Sequence, residues 1–469
     1  MAAESPAAPH ALFLPYPAQG HVIPFMELAH RFLHRGGFAA ATLVNTDFNH
    51  RRLLAASAPP PSSEAGSRLR LVSVADGLGA EDDHENLVLL NAAMENAVPP
   101  QLDALLAGGE VTCVVVDVGM SWALDVAKRR GIPAAALWPA SAGVLSVILG
   151  APELVRDGVI DDDGAPLNLT NNSFHLTKSS TTPMDATFLA WNYMAGNRDA
   201  ERLVFHYLTT TAQAAAAKAD FLLCNTFSDI EPAIFTKPST PASILPIGPL
   251  RTWMRQQHGR PVGHFWRAED TACMSFLDAQ PRGSVVYVAF GSITVMAVAQ
   301  LQELALGLQA SGRPFLWVVR PGLAGKLPTG FTTDLVTGQG KGKVVGWAPQ
   351  EQVLAHPAVA CFVTHCGWNS TLEGVRNGLP MLCWPYFTDQ FTNQTYICDI
   401  WRVGLRVALA ESSGAMVTKE RIVELLDDLL RDEGVKERVL KLKEKAEKSM
   451  SEDGESFKNL DLLMKSLRK

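Results

Sequence analysis

Trp347–Gln390 reads WAPQEQVLAHPAVACFVTHCGWNSTLEGVRNGLPMLCWPYFTDQ. Its centre is an apolar run, Val359 to Val363, entering the turn Thr364-His-Cys-Gly367 and then an amphipathic stretch. Such a run bounded by a glycine turn predicts a buried strand followed by a helix. Ser370 and Glu373 have capping-box spacing, and Gly378 with Pro380 stops the helix. Met381 to Pro385 then reads as the next strand. Strand, turn, helix, strand is the parallel α/β pattern. It puts His365, Gly367, Asn369 and Ser370 together at a helix N-terminus, where backbone N–H groups and the helix dipole favour an anion. Gly367 permits close backbone approach, and the three polar side chains add donors. A plainer reading fits the centre too: Asn369 or Ser370 caps the helix, Glu373 completes the box, and His365 is a satisfied core histidine.

The flanks add to the anion reading. Trp347, Ala348 and Gln350 follow Gly346 at the end of another strand, where an indole can stack on a base. Asp389 and Gln390 follow the next strand, placed to bind hydroxyls. Open α/β sheets bind ligands beyond the carboxyl ends of their strands.

The same grammar extends outward. Ser284 to Phe290, Phe315 to Val319 and Lys343 to Gly346 read as strands, and Val298 to Gln309 as a helix. Nearer the start, Ala11 to Pro15, Phe38 to Val44, Thr112 to Val116, Ala134 to Trp138 and Phe221 to Cys224 read as strands. A turn, Tyr16 to His21, leads to a helix expected from about Ile23, with Pro24 in its first turn and Gly36-Gly37 at its end. Ser121 to Arg130 reads as a helix. Continuous apolar strands alternating with helices imply parallel sheets covered on both faces. Two doubly wound α/β domains are expected, 1–250 and 251–454, joined through Leu245-Pro-Ile-Gly-Pro-Leu250 and a polar stretch to Asp270. Ala58 to Gly66 reads as an exposed loop.

Composition narrows the function classes. The 469 residues are 47% hydrophobic and 19% charged, with net charge -7 and pI near 6.0. Sizeable cores are possible, and the basic face of a nucleic-acid binder is missing. The mixed Lys/Glu tail, Lys436 to Lys448, reads as a solvated helix face. Seven cysteines with no CxxC pair argue against zinc and a disulfide framework, and fit a reducing compartment. The N-terminus lacks a signal-peptide pattern, and no apolar run has the length of a membrane span. Sequons at Asn168, Asn171, Asn369 and Asn393 then read as chance matches.

The ordered set WAPQ, HCGWNS, Glu373 and terminal Asp389-Gln390 closely resembles the signature box of plant family-1 UDP-glycosyltransferases. PYPAQGH near the start and the GPL linker text resemble that family as well, so the resemblance covers essentially the whole chain. It implies the GT-B fold, two Rossmann-like domains facing across a cleft, with a C-terminal helix at about 455–469 packing back on the first. It implies that Trp347 stacks on uracil, with Ala348 and Gln350 near the base and ribose, and that Glu373 binds the ribose hydroxyls. His365, Gly367, Asn369 and Ser370 would bind the phosphates with help from Ser292, Trp368 would contribute backbone near the sugar, and Asp389 and Gln390 would bind sugar hydroxyls. The terminal Gln resembles the glucose-using version of the box.

His21 and Asp117 complete the reading. Glycosyl transfer to a hydroxyl needs the nucleophile's proton removed as the bond forms, which a positioned imidazole can do. His21 follows the first strand, and Asp117 ends another strand of the same sheet, where it can orient the ring. From spacing alone, His21 as a helix cap and Asp117 as a lysine partner is the better reading. The resemblance implies the catalytic pair, acting by direct displacement with inversion and without a metal. Asp161-Asp-Asp163 contains DxD but lies in a Gly/Pro loop and reads as solvated surface.

Competing motifs fail on single positions. Gly77-Leu-Gly79 lacks the third glycine of a dinucleotide fingerprint, Gly338-Gln-Gly340 precedes a strand, Gly325-Lys326 is followed by Leu, and Gly119-Met-Ser121-Trp-Ala123 misses the last glycine of a nucleophile elbow. A non-catalytic UDP-sugar sensor would need no His21–Asp117 pair. The expected activity is glucose transfer from UDP-glucose to a small phenolic or flavonoid hydroxyl by a cytoplasmic monomer, with terpenoid or hormone acceptors as the alternative. Met120, Ser141, Trp191 and Phe387 are candidates for the acceptor pocket.

Overall fold

The computed structural model describes residues 8–56, 68–168, 173–175, 182–192, 197–236, 243–250, 264–294, 296–331, 341–407 and 416–468. The Ala58–Gly66 loop, Asn171, Gly338–Gly340 and most of the stretch after Leu250 lie outside them. The chain divides into two compact units. The first comprises Met1–Thr187, Trp191–Trp266 and Lys448–Lys469, and the second comprises Phe188–Ala190 and Arg267–Glu447.

Unit one is built on seven parallel strands: β1 (His10–Leu14), β2 (Ala40–Thr46), β3 (Leu69–Val74), β4 (Cys113–Asp117), β5 (Ala134–Trp138), β8 (Phe221–Cys224) and β9 (Ile244–Pro246). They are ordered β3-β2-β1-β4-β5-β8-β9, while β6 (Ser173–His175) and β7 (Pro183–Asp185) form a separate antiparallel pair. Every residue of β1, β4 and β5 is buried, as their unbroken apolar text requires of strands covered on both faces. Phe13, Phe25, Phe32, Leu43, Val115 and Leu137 form the core between this sheet and its helices. Leu460, Leu463, Met464 and Leu467 of the helix Glu455–Leu467 enter the same core. Phe265 packs there too, so the chain enters unit two later than 251.

Unit two repeats the plan with β10 (Val285–Ala289), β11 (Phe315–Val318), β12 (Gly342–Val345), β13 (Val359–Thr364), β14 (Met381–Cys383) and β15 (Gly404–Arg406). Their order is β12-β11-β10-β13-β14-β15, all parallel. Val286, Val288, Leu304, Trp317, Val363 and Leu426 fill its core. Both orders reverse once, between β1 and β4 and between β10 and β13, the topological switch points where doubly wound sheets bind ligands.

Two expectations are corrected. The first helix runs Gln19–His34, with the N–H groups of His21 and Val22 bonded to Ala18 O. Pro24 therefore falls inside the helix, and His21 lies in its first turn instead of before it. The expected capping box at Ser370 and Glu373 does not form. The helix Trp368–Asn377 is capped by Gly367, which puts Ser370 within the first turn and leaves Glu373 to another partner. No helix among the described residues is long and apolar enough to cross a membrane.

Candidate active site

The switch point of unit one carries a histidine and an aspartate. β1 and β4 are hydrogen-bonded neighbours, with Leu14 opposite Val116, so the residues leaving their C-terminal ends meet. His21 Nδ1 lies 2.7 Å from Asp117 Oδ2; the imidazole is 31% exposed and the carboxylate 0%. Asp117 Oδ1 accepts from Gly119 N–H at 2.9 Å, which pins the carboxylate. A carboxylate only accepts, so Nδ1 carries the hydrogen and Nε2 holds the lone pair.

Two phenols close around this pair. The Tyr16 ring lies 5.2 Å from the His21 ring, and its hydroxyl donates to Asn91 Oδ1 at 2.8 Å. The Tyr207 hydroxyl donates to Gly119 O at 2.5 Å. Burial first, with the Asp117 charge adding to it, pushes both phenols up, so they remain protonated donors. Another His–Asp pair, His84 Nδ1 with Asp76 Oδ2 at 2.8 Å, escaped the sequence reading. There Nε2 also faces Gly79 O at 3.1 Å and the ring stacks on Phe48, the setting of a loop brace.

The other candidates in unit one are interior residues. Met120, Ser141 and Trp191 are almost fully buried. Ser141 Oγ accepts from Val144 N–H, and Trp191 Nε1 donates to Gly164 O at 2.8 Å while its ring packs on Phe205. The structure gives these three packing roles. Asp161 Oδ1 accepts from the N–H groups of Asp163 and Ala165, and Asp163 pairs with His206 at 2.9 Å. The DxD text is thus a self-bonded turn. Among the described residues no group of three or more His, Cys, Asp or Glu is arranged to hold a metal ion.

The switch point of unit two brings most of the box together. β10 and β13 pair with Ala289 opposite Thr364, so Gly291 and Ser292 emerge beside His365 and Gly367. The imidazole of His365 fits between two glycines: a Cβ on Gly291 would lie 2.7 Å from Nε2, and one on Gly367 2.5 Å. Burial lowers the His365 pKa to about 4 against the opposing Ala289 carbonyl, so the ring is neutral. Cys366, at φ 65, swings the chain into the helix, and Thr364 Oγ1 accepts its N–H at 3.1 Å. Gly367 as N-cap brings no side-chain acceptor, which leaves the helix N-terminus suited to an external anion. Trp368 directs its indole inward, onto Tyr396 and Trp401, so it offers its backbone at this turn.

Gln350 ties three segments of this region together. Its Nε2 donates to Ser370 Oγ at 2.8 Å and Glu373 Oε2 at 2.7 Å, and its Oε1 accepts from Tyr287 OH at 3.2 Å. Burial raises the Glu373 carboxyl to about 7, against the Gln350 bond. Glu269 Oε1 accepts from Gly346 N–H and its own N–H donates to Trp347 O, fixing the approach to Trp347 and Ala348. On the far side, Asp389 Oδ2 accepts from Asn393 Nδ2 at 2.8 Å. Gln390 Oε1 accepts from the N–H groups of Tyr386 and Phe387, so it shapes the loop that carries Phe387.

Three contributors have no sequence signal. Arg320 donates to Ser292 O at 2.8 Å and to Thr294 O, bracing the loop after β10. Tyr287 holds Gln350, and Asn393 reaches Asp389 and the Cys366 carbonyl. Apart from Asp389, four residues before Asn393, their partners are distant in sequence or are main-chain atoms, which no motif reports.

The chain is similar to known proteins over nearly its whole length. Residues 267–449 match the family model described as UDP-glucoronosyl and UDP-glucosyl transferase. UDP-glycosyltransferase 83A1 of Arabidopsis thaliana is 36% identical, covering 97% of this chain and 95% of that protein. Linamarin synthase 1 of Manihot esculenta is 33% identical over 98% of this chain and 97% of its own length. Among solved structures, Os79 from O. sativa in complex with UDP matches with TM-score 0.77 and 28% identity, over 97% of this chain and all of that one. UDP-glucose: anthocyanidin 3-O-glucosyltransferase in complex with UDP matches with TM-score 0.79 and 26% identity, over 98% of this chain and 99% of that one.

Proposed function

Since the chain belongs to the UDP-glycosyltransferase family and has its GT-B fold, we propose that this sugar-transferring enzyme moves glucose from UDP-glucose to a hydroxyl of a small phenolic acceptor. The acceptor O–H gives its proton to His21 Nε2 as its oxygen bonds to the anomeric carbon. The bond from that carbon to the diphosphate breaks on the opposite face, so an α-linked donor gives a β-glucoside and UDP leaves. Asp117 orients the ring and stabilises the imidazolium, a step worth about 10²–10⁴-fold in rate. In unit two the helix N-terminus, neutral His365, Asn369 and Ser370 take the charge of the departing diphosphate. Trp347 and Ala348 hold the base, Gln350 and Glu373 the ribose, and Asp389 and Gln390 the sugar. On this reading no metal ion is required.

The observation that carries catalysis is the 2.7 Å His21–Asp117 bond at the switch point, which a donor-binding sensor would not need. The relative acting on anthocyanidin supports a phenolic acceptor. The test is mass spectrometry of products from UDP-glucose with a panel of flavonoid, other phenolic, terpenoid and hormone acceptors. A phenolic β-glucoside is expected. Glycosides of terpenoids or hormones alone would redirect the acceptor class, and no glycoside from any acceptor would overturn the transfer reading.

A further inference from the structure

Asn393 is 0% exposed and lies one turn after Asp389 on the helix Gln390–Thr395. Its Nδ2 donates to Asp389 Oδ2 at 2.8 Å and to Cys366 O at 2.9 Å. Both partners only accept, so the two amide hydrogens face them and the orientation of the amide is determined. Its Oδ1 is buried with no hydrogen-bond partner among the described residues, a cost that an apolar side chain of the same size would avoid. The forked donor is what distinguishes this residue from such a side chain.

The two ends of the fork lie in different parts of the donor site. Cys366 has the left-handed φ of 65 that aims the chain at Gly367 and the helix N-terminus. Thr364 holds its N–H and Asn393 its carbonyl, so the turn is fixed at both ends. Asp389 follows Thr388, itself at φ 53, and its carboxylate is bridged to Asn393. The same stretch continues as a π-turn, Tyr396–Ile400, whose Tyr396 packs on Trp368. One segment thus braces the phosphate turn and the sugar carboxylate together.

We propose that Asn393 is a positioning residue for donor-sugar recognition: its forked amide fixes the Asp389 carboxylate relative to the Cys366–Gly367 turn. This rests on the reading of Asp389 as a sugar-hydroxyl ligand. The sugar contributes binding energy only where its hydroxyls meet preset acceptors, and Asn393 sets one of them.

The test is a double-mutant cycle on the full chain with Asp389→Ala and Asn393→Ala. Calorimetric affinities are measured for UDP, UDP-glucose and UDP-galactose, with melting temperatures alongside. Asn393→Ala should reduce the preference for UDP-glucose over UDP-galactose, and the gain of UDP-glucose over UDP, each by about tenfold. In the Asp389→Ala background it should reduce neither further, because Asn393 acts through that carboxylate. Its effect on UDP, transmitted through the Cys366 carbonyl, should be the same in both backgrounds. Equal loss of sugar preference in both backgrounds marks a general packing role and overturns the proposal. An Asp389→Ala variant with unchanged sugar preference refutes the donor-site reading itself and removes the premise. If Asn393→Ala does not fold, the isosteric Asn393→Asp, which sets a second carboxyl against Asp389, completes the same cycle.

Discussion

His21 Nδ1 and Asp117 Oδ2 stand 2.7 Å apart across the two strands where the first sheet reverses its order. The carboxylate is wholly buried and the imidazole partly exposed. Burial of the orienting group with access to the reacting one is the arrangement a general base needs. His21→Ala should lower transfer about 10²–10⁴-fold with UDP-glucose affinity unchanged. Asp117→Asn should fall in the same range while keeping shape, since an amide can hold the ring in the wrong tautomer. Steady-state rates and calorimetric donor binding check this, and wild-type turnover in either folded variant would reject the assignment.

Glu373 sets a conflict between stability and binding. Burial raises its carboxyl from 4.5 to about 7. The folded chain therefore binds this proton more tightly than the unfolded chain, and stability is lost as pH rises from about 4.5 through about 7. If Glu373 holds the ribose as proposed, donor affinity should run the other way, because hydroxyls donate to the ionised form. UDP affinity should thus increase as pH rises through about 7. Glu373→Gln should remove both trends, giving a more stable protein at neutral pH with weaker UDP binding. Melting temperature and UDP calorimetry between pH 5 and pH 8 are the measurements.

Gly367 tests the imidazole slot cleanly. Its backbone, φ -59 and ψ 142, is open to any residue, so alanine adds no backbone strain. The added Cβ would stand 2.5 Å from His365 Nε2, and the ring must move. Gly367→Ala should fold with a small change in melting temperature and lose about tenfold or more in UDP affinity. Gly291→Ala adds a second penalty, since φ +71 disfavours a side chain, and should lose stability as well. UDP affinity unchanged in Gly367→Ala would remove His365 from the phosphate site.

Much of this architecture was legible because buried parallel strands write themselves as unbroken apolar runs, as CVVVD and VVYVA do. The start of the first helix was not, because Pro24 resembles a first-turn proline while the real first turn contains Gly20. The long helix Leu87–Ala107 escaped because Pro99 and Pro100 interrupt it. Ser370 and Glu373 had capping-box spacing, yet Gln350 from another segment binds both side chains. Met120, Ser141 and Trp191 are buried, and whether a side chain faces ligand or core depends on packing that no motif encodes. Cys273 and Cys366 are buried like Cys113, Cys224, Cys361 and Cys383, although only the latter four lie in apolar runs.

Arg320 offers the last prediction. Its guanidinium donates to the carbonyls of Ser292 and Thr294, which lie on either side of the exposed Ile293. The planar fork can meet both acceptors at once, and it leaves a positive charge at the C-terminal edge of the second sheet. Bracing and charge predict different outcomes. If bracing dominates, Arg320→Lys should raise the KM for UDP-glucose nearly as much as Arg320→Ala, about tenfold, because a single ammonium cannot span both carbonyls. Added guanidinium should then restore part of the affinity of Arg320→Ala and none of that of Arg320→Lys. The acceptor KM should stay unchanged in both variants. Full activity in Arg320→Lys would show that charge alone suffices at this corner, and that the loop after β10 holds its shape without the fork.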